Sequence, residues 1–505
     1  MEVAARWHEN NRPLMRNAPV RERMISISRR CFVGGSLATM AGMAFRSLGA
    51  NKNAAPRLTF GVVSDLHIGG KPDAVEQTEK ALRWFVSKNV DAVLCPGDIA
   101  HSGCIGEMEK FAAVWHKVFA GGRAADGRKV ELMISTGNHD IGGWGGRWAN
   151  FTDDQLRAQC LCHEDNLEKT WRRLFGQKWE LIWRRKVKGY TFIGSQWSSF
   201  NPPIEAYMKE NAATLDVGKP FFYCQHQHPK GTCHGAYAFG SDNGESVRAL
   251  EAFPNAVAIS GHSHCAISDE RTVWQGAFTS IGAGCLHEGG IGFDYDNCTA
   301  HWHPSYRTKL MLSRADPQSW GGDAKGGGCE LVEVFADHLV VHRQSVEFNR
   351  PIGPAFIVPL PAKKDGEFDF TKRTKWRKAH GAIPQFAADA KISAKFCPNG
   401  HALEGVGHKG EPCIYVTFPR AKTVKGSRVF DYAVEACAEG ESPITCKLIA
   451  AGFAYPEENA DIPGECLFSA TELPNGKPIR FTVTPRDCFG LAGRPLVCKF
   501  DWKSM

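Results

Sequence analysis

Five short apolar runs each end in a polar cluster, and this pattern constrains the chain more than any other feature. Val130-Glu131-Leu132-Met133-Ile134 leads into Gly137-Asn138-His139-Asp140. Upstream, the run 58–63 leads into Asp65-Leu66-His67 and the run 91–95 into Gly97-Asp98. Downstream, the run 220–224 leads into Gln225-His226-Gln227-His228 and the run 256–260 into Gly261-His262-Ser263-His264. Such runs read as buried strands, and open α/β sheets hold their ligands at the carboxyl ends of strands. Carboxylates, imidazoles and an amide at five strand ends describe a metal site of borderline divalent character; an all-thiolate set would indicate structural zinc.

Helical periodicity fills the gaps. Residues 73–87 place Val75, Ala81, Leu82, Phe85 and Val86 on one face, and 105–119 form a second helix. Strand and helix in alternation predict a mostly parallel, helix-covered sheet. A Trp-rich helical excursion spans 151–183, with Thr152-Asp153-Asp154-Gln155 as its N-terminal cap. Strands resume at 190–194, and 331–334 with 339–342 read as a hairpin turning at Ala336-Asp337.

A chain of 505 residues exceeds what one core organises, so two domains are expected behind a leader. In residues 1–50, Ser28-Arg29-Arg30-Cys31-Phe32-Val33 precedes a Gly-rich, weakly apolar run, which resembles a bacterial twin-arginine export signal. The expected location is therefore periplasmic or secreted, with no membrane span apart from this segment. Residues 1–50 hold eight Arg and three Glu, so five of the seven net positive charges fall there. The remainder is nearly neutral and indicates no nucleic-acid partner. The eighteen cysteines are scattered without a dense framework, and those in strands, such as Cys95 and Cys224, read as small hydrophobes.

Pro351, Pro354, Pro359 and Pro361 mark a boundary, which divides the chain into a catalytic domain at 57–348, a Pro-rich, basic linker at 349–380 and a β domain at 381–505. The run 372–378 reads as solvated linker. Alternating segments at 413–418, 430–436 and 479–484 predict a small β-sandwich, and Tyr432 with the ending 483–490 loosely resembles a fibronectin type III module.

Taken in order over residues 58–345, Asp65-x-His67, Gly97-Asp98-x4-Gly103, Gly137-Asn138-His139-Asp140, a strand-end His and Gly261-His262-x-His264 resemble the calcineurin-like metallophosphoesterase superfamily. The resemblance implies an α/β fold with a β-sandwich core flanked by helices in α/β/β/α layers, and a hydrolase whose substrate is a phosphoric mono- or diester. It implies two divalent transition metals (Mn, Fe or Zn). Asp65, His67 and His264 would bind one, Asn138, His226 and His262 the other, with Asp98 and a nucleophilic water or hydroxide bridging them. Paired cations about 3.5–4 Å apart neutralise an anionic ester and lower the pKa of bound water. His139 would stabilise the transition state or protonate the leaving oxygen, with Asp140 orienting it.

Several residues leave alternatives open. Counting along the run 220–224 favours His226 over His228 as the strand-end ligand. His101 stands three residues after Asp98, where purple acid phosphatases have Tyr, which argues against a tyrosinate-iron site. Gly142–Arg147 is a Gly-rich loop that reads first as surface. Cys397, His401, His408 and Cys413 have no usual zinc spacing, and His301 and His303 read as structural or exposed. The rival function is a surface-binding protein with a vestigial esterase site; the complete ligand set disfavours it.

Overall fold

The computed structural model describes residues 55–143, 147–197, 204–234, 241–286, 308–311, 327–363, 366–403, 406–407, 410–450 and 463–501. The leader, His301, His303, His408 and Trp144–Gly146 of the Gly-rich loop lie outside them. Among the described residues no helix is long and apolar enough to cross a membrane.

The first sheet grows from Leu58–Val62. Ala92–Cys95 and then Glu131–Ile134 add to it in parallel, while Gly328–Val334 and His338–Ser345 add antiparallel on the other side. The second sheet runs Ile182–Val187, Tyr190–Ser195, Phe221–Cys224, Ala256–Ser260, Thr279–Gly282, Val273–Gln275, with its middle four strands parallel. The two sheets pack face to face. Leu58, Phe60 and Val62 point inward, and the Phe60 ring meets Phe192 and Phe222 edge-on at 5.3 and 4.9 Å. Ala74–Ser87, Ile105–Val118 and Leu167–Phe175 cover the outer face of the first sheet. Ile204–Asn211 and Glu245–Leu250 cover that of the second. Strands covered on both faces are apolar throughout, which is why they stand out as unbroken runs.

The layers are α/β/β/α, as the resemblance implies, and the mostly parallel, helix-covered sheet predicted from alternation is divided between two mixed sheets. Each parallel part follows from a βα repeat, but the antiparallel pairing of Gly328–Val334 with Leu58–Val62 joins residues far apart in sequence. The hairpin turn forms at the expected place, with Phe335 N–H donating to His338 O at 2.9 Å. In the Trp-rich excursion Thr152 caps Asp153–Gln159 by a reciprocal pair of bonds with Gln155. The excursion ends earlier than expected, because Ile182–Val187 is already a strand.

Residues 349–380 are more ordered than a linker. Arg350–Pro351 and Phe356–Pro359 pair with His338–Ser345, so the first sheet continues past residue 348. The basic run is the helix Phe370–His380, whose Arg377 is buried instead of solvated. Beyond it, Ser393–Cys397, Cys413–Phe418 and Gly464–Ser469 form one sheet, and Ile444–Ile449, Asp431–Ala438, Ile479–Arg486 and Leu496–Phe500 belong to another. The two share one core, built from alternating positions such as Tyr432, Val434 and Ala436.

Candidate metal centre

Each candidate ligand hangs from the carboxyl end of a central strand. Asp65 and His67 follow Leu58–Val62, Asp98 follows Ala92–Cys95, and Asn138 opens the short helix Asn138–Gly142 after Glu131–Ile134. The facing sheet supplies His226 after Phe221–Cys224, and His262 and His264 after Ala256–Ser260. Face-to-face packing brings the two sets to a common edge.

There they form two adjoining groups. In one, His67 Nε2 and His264 Nε2 lie 3.1 Å apart, and Asp65 Oδ1 is 3.1 Å from His264 Nε2 and 3.9 Å from His67 Nε2. In the other, His226 Nε2 is 3.1 Å from both Asp98 Oδ2 and His262 Nδ1. Asp65 Oδ1, 3.9 Å from His226 Nε2, links the two. Asn138 Oδ1 and Asp65 Oδ1 are buried and accept no hydrogen bond.

The backbone is bent to achieve this. Asp65, His67, Asp98, His262 and His264 all hold positive φ, between 44° and 70°. A non-glycine residue there costs about 1–3 kcal/mol, a cost that persists only where the surroundings over-determine it. Two glycines make the approach feasible: a Cβ at Gly137 would collide with the Asp98 carboxylate, and one at Gly261 with Asp65 and Ser64.

The outer atoms of the ligands are fixed. His226 Nδ1 donates to Pro96 O at 2.8 Å, which aims Nε2 inward. Asp65 Oδ2 accepts from Ser64 Oγ at 2.5 Å and His262 N at 3.1 Å, and Asp98 Oδ1 accepts from His139 N at 2.8 Å. Charge follows the same logic. Burial opposes ionisation of Asp65, but His226 and His264 hold its carboxyl down to about 2; Asp98, equally buried, is held low chiefly by His226. Burial lowers His226, yet Asp98 and Asp65 outweigh it and raise this imidazole to about 9. Burial, reinforced by neighbouring imidazoles, holds His67 well below its usual value and His262 at about 3. The cluster thus pairs ionised carboxylates with neutral imidazoles at His67 and His262, the protonation states that ligation requires, and a cation arriving at His226 would displace its proton. With Asp65 Oδ1 and Asn138 Oδ1 buried and without hydrogen-bond donors, this set fits divalent cations.

Of the two histidines left open, His226 faces the cluster. His228 is buried behind it, with Nδ1 on Ser260 Oγ at 2.8 Å and Nε2 on Ser263 Oγ at 2.6 Å. His139 Nε2 lies 4.0 Å from Asp98 Oδ2. The expected orientation of His139 by Asp140 is not what holds it: Nδ1 donates to His101 O at 2.8 Å. Asp140 sits in the first turn of its helix, so its carboxylate folds back onto backbone amides, Gly137 N at 2.8 Å and Ala100 N at 2.7 Å. Burial, with Asp98 adding, pushes this carboxyl up to about 7.

Two neighbours escaped the sequence reading. The His101 ring lies 5.5 Å from His67 and 5.3 Å from His139, although the sequence marks it only by its place after Asp98. Trp197 stands 5.8 Å from His226 and 5.6 Å from His262, ring to ring. It follows the strand Tyr190–Ser195, so the strand-end rule that found the ligands could have found it too. Arg147 lies over the Trp148 ring at 5.3 Å.

No curated protein matches the chain. Solved structures similar to it include a dimetal phosphatase from Danio rerio, 12% identical, covering 60% of this chain and 99% of that one with a TM-score of 0.30. A purple acid phosphatase from yellow lupin seeds is 15% identical over 60% of this chain and 53% of that one, TM-score 0.36. The anchor in the inner membrane complex of Plasmodium is 13% identical over 61% and 89%, also at 0.36. The stretch that carries all of the candidate ligands, residues 58–266, matches the family model of the calcineurin-like phosphoesterases.

Proposed function

We propose that the protein is a metal-dependent hydrolase of phosphoric mono- or diesters with a dinuclear centre. Asp65, His67 and His264 would hold one cation, Asn138, His226 and His262 the other, and Asp98 would touch both. The observation that carries this reading is the convergence of buried nitrogen and oxygen donors in two adjoining groups, with Asn138 Oδ1 and Asp65 Oδ1 left without hydrogen bonds. Bound cations would supply neutralisation of the phosphoryl oxygens and acidification of water.

The chain's own groups do the rest. His139 keeps its Nδ1 proton on the His101 carbonyl, so Nε2 is the atom that faces the ester. Protonated there, it donates to the departing oxygen and returns to the neutral form without moving. Asp140 ties the loop 97–100 to the loop 137–140 and so sets the distance between Asp98 and Asn138. Burial of the cluster strengthens each of these interactions by excluding water.

The export pattern around Arg29-Arg30 supports a periplasmic or secreted location. Two sheets over one core support residues 381–505 as a fibronectin type III-like domain. Elemental analysis combined with hydrolysis of p-nitrophenyl and bis-p-nitrophenyl phosphate tests the function. The expected result is close to two transition-metal ions per chain and metal-dependent turnover. Protein that takes up one ion or none after reloading and cleaves neither ester overturns it.

A further inference from the structure

Beside the candidate metal centre lies a small open cavity of ≈ 30 Å³, lined by His226, Trp197, Gln225, Asp242 and Glu245 among others. Most of its polar lining is already engaged. Tyr223 OH bonds to Ser195 Oγ at 2.9 Å and donates to Gln225 Oε1 at 2.8 Å, and Gln225 Nε2 donates to Asp242 Oδ2 at 3.1 Å. Asp242 Oδ1 accepts from the amides of Lys230 and Gly244 at 3.0 and 2.9 Å. Gln196 Oε1 accepts from Thr136 N at 2.7 Å.

Glu245 is the exception. Its Oε2 is buried and has no hydrogen-bond partner. The nearby Arg248 attracts Glu245 through space but makes its hydrogen bonds to Glu205, from Nε and Nη2 at 2.7 and 2.6 Å. A buried carboxylate oxygen without a donor costs free energy that native structures normally recover from a ligand or water. Trp197 supplies the second element of recognition, an aromatic face of the kind that attracts cations. Its ring borders both the cavity and the imidazoles of His226 and His262.

We propose that this cavity receives the alcohol portion of the ester and that it selects an alcohol bearing a primary ammonium group. A primary ammonium can donate to Glu245 Oε2 while lying against the Trp197 ring; a quaternary ammonium offers charge but no donor, and an alkyl group offers neither. The proposal rests on the phosphoesterase reading, since a phosphoryl group held near His226 is what places the alcohol in the cavity. Free amino-alcohol phosphates and ethanolamine lipid headgroups share this chemistry.

The test uses the full-length, metal-loaded protein. kcat/KM is compared for O-phosphoethanolamine, phosphocholine and n-propyl phosphate, with phosphatidylethanolamine vesicles as the arm that separates a lipid source from a free ester. Ethanolamine and 1-propanol are compared as ligands by saturation-transfer NMR, which needs no turnover. The expected order is ethanolamine, choline, propyl, with about a tenfold preference for the ammonium over its methyl isostere, the size of a desolvated cation contact. Glu245→Gln, which keeps the shape and removes the charge, should bring the ratio close to one in both assays. Equal kcat/KM for O-phosphoethanolamine and n-propyl phosphate in the wild-type protein, or equal NMR binding of ethanolamine and 1-propanol, overturns the proposal, as does a ratio that Glu245→Gln leaves intact. Loss of hydrolysis of every ester, p-nitrophenyl phosphate included, counts against the phosphoesterase reading, and the NMR ratio then decides the cavity by itself.

Discussion

Two clusters of buried charge are joined along the chain by the segment from His264 to Glu270, and their hydrogen bonding is opposite in kind. At the junction with the C-terminal sheets, Arg377 Nη2 meets Glu270 Oε1 and Oε2 at 2.8 and 2.9 Å, and Nη1 meets Asp487 Oδ2 at 2.8 Å. Asp487 also accepts from Ser427 Oγ and from the amides of Phe489 and Leu491. Arg428 donates to Ser268 O, in the segment that runs from His264 to Glu270. Arg377 and its two carboxylates thus satisfy one another. At the strand ends, by contrast, ring nitrogens face one another at 3.1 Å and two oxygens accept nothing. A complete shell ties the helix Phe370–His380 to the C-terminal sheets; a convergent set of ring nitrogens and carboxylate oxygens could hold a cation. Glu330 shows that convergence is essential to the second statement. Both of its oxygens lack hydrogen-bond partners, yet it belongs to none of the ligand groups found among the described residues, and burial pushes its carboxyl up to about 8 so that it is mostly neutral at pH 7.

The largest effect expected from breaking this comparison is at Asp98. Asp98→Asn removes the charge shared by both groups, so turnover should fall by about 10⁴-fold or more, the equivalent of several kcal/mol of lost charge stabilisation. Metal content should fall with it; a variant that retains two ions and most activity would show that Asp98 does not join the two groups.

His139→Ala should keep the metals and lose about 10²–10⁴-fold in turnover on an alkyl ester, and less on a p-nitrophenyl ester whose leaving group needs no proton. Equal slowing on both, with metals intact, would reduce His139 to general electrostatic stabilisation.

Arg377→Ala attacks the complete shell. It leaves Glu270 and Asp487 buried without their cation and should cost about 3–5 kcal/mol in a denaturant melt. Folded protein should still bind metal; if it binds normally but is no less stable than wild type, the junction network contributes nothing. Glu330→Gln gives a change that depends on pH. The carboxyl's folded pKa is raised from 4.5 to about 8, so the folded state binds the proton more tightly. Its contribution is present below about pH 4.5 and lost as pH rises to about 8. The variant should therefore be more stable than wild type at pH 9, and the gap should close toward about pH 5. A pH-independent difference would mean that Glu330 is partnered in solution.

Much of this was legible in the chain. Apolar runs covered on both faces marked the central parallel strands to within a residue or two, although the hairpin strands Gly328–Val334 and His338–Ser345 run three residues past their predicted ends; helical spacing marked Ala74–Ser87 and Ile105–Val118, and Thr152 with Gln155 announced a cap. These are local consequences of periods of 2 and 3.6 and of the orphan amides at a helix start, so a short window of sequence suffices. The polar clusters were likewise visible, because a ligand loop must interrupt an apolar strand.

What only the tertiary structure decided concerns pairing between distant segments. Nothing in the spacing says that His139 Nδ1 turns to His101 O and Asp140 to two amides, since both choices depend on how the loop 97–103 lies against the loop 137–142. The same holds for Arg377, whose basic neighbours suggest solvent until Glu270 and Asp487 close over it. It holds for Glu245 and Trp197, which share a cavity only because the second sheet brings residues 197, 226 and 245 together. The sequence by itself determined which residues are polar at strand ends and which strands are buried, through periodicity written along the chain. Sheet-on-sheet packing decided which of those polar atoms meet, because burial and electrostatic partners belong to the space between elements and leave no period in any one of them.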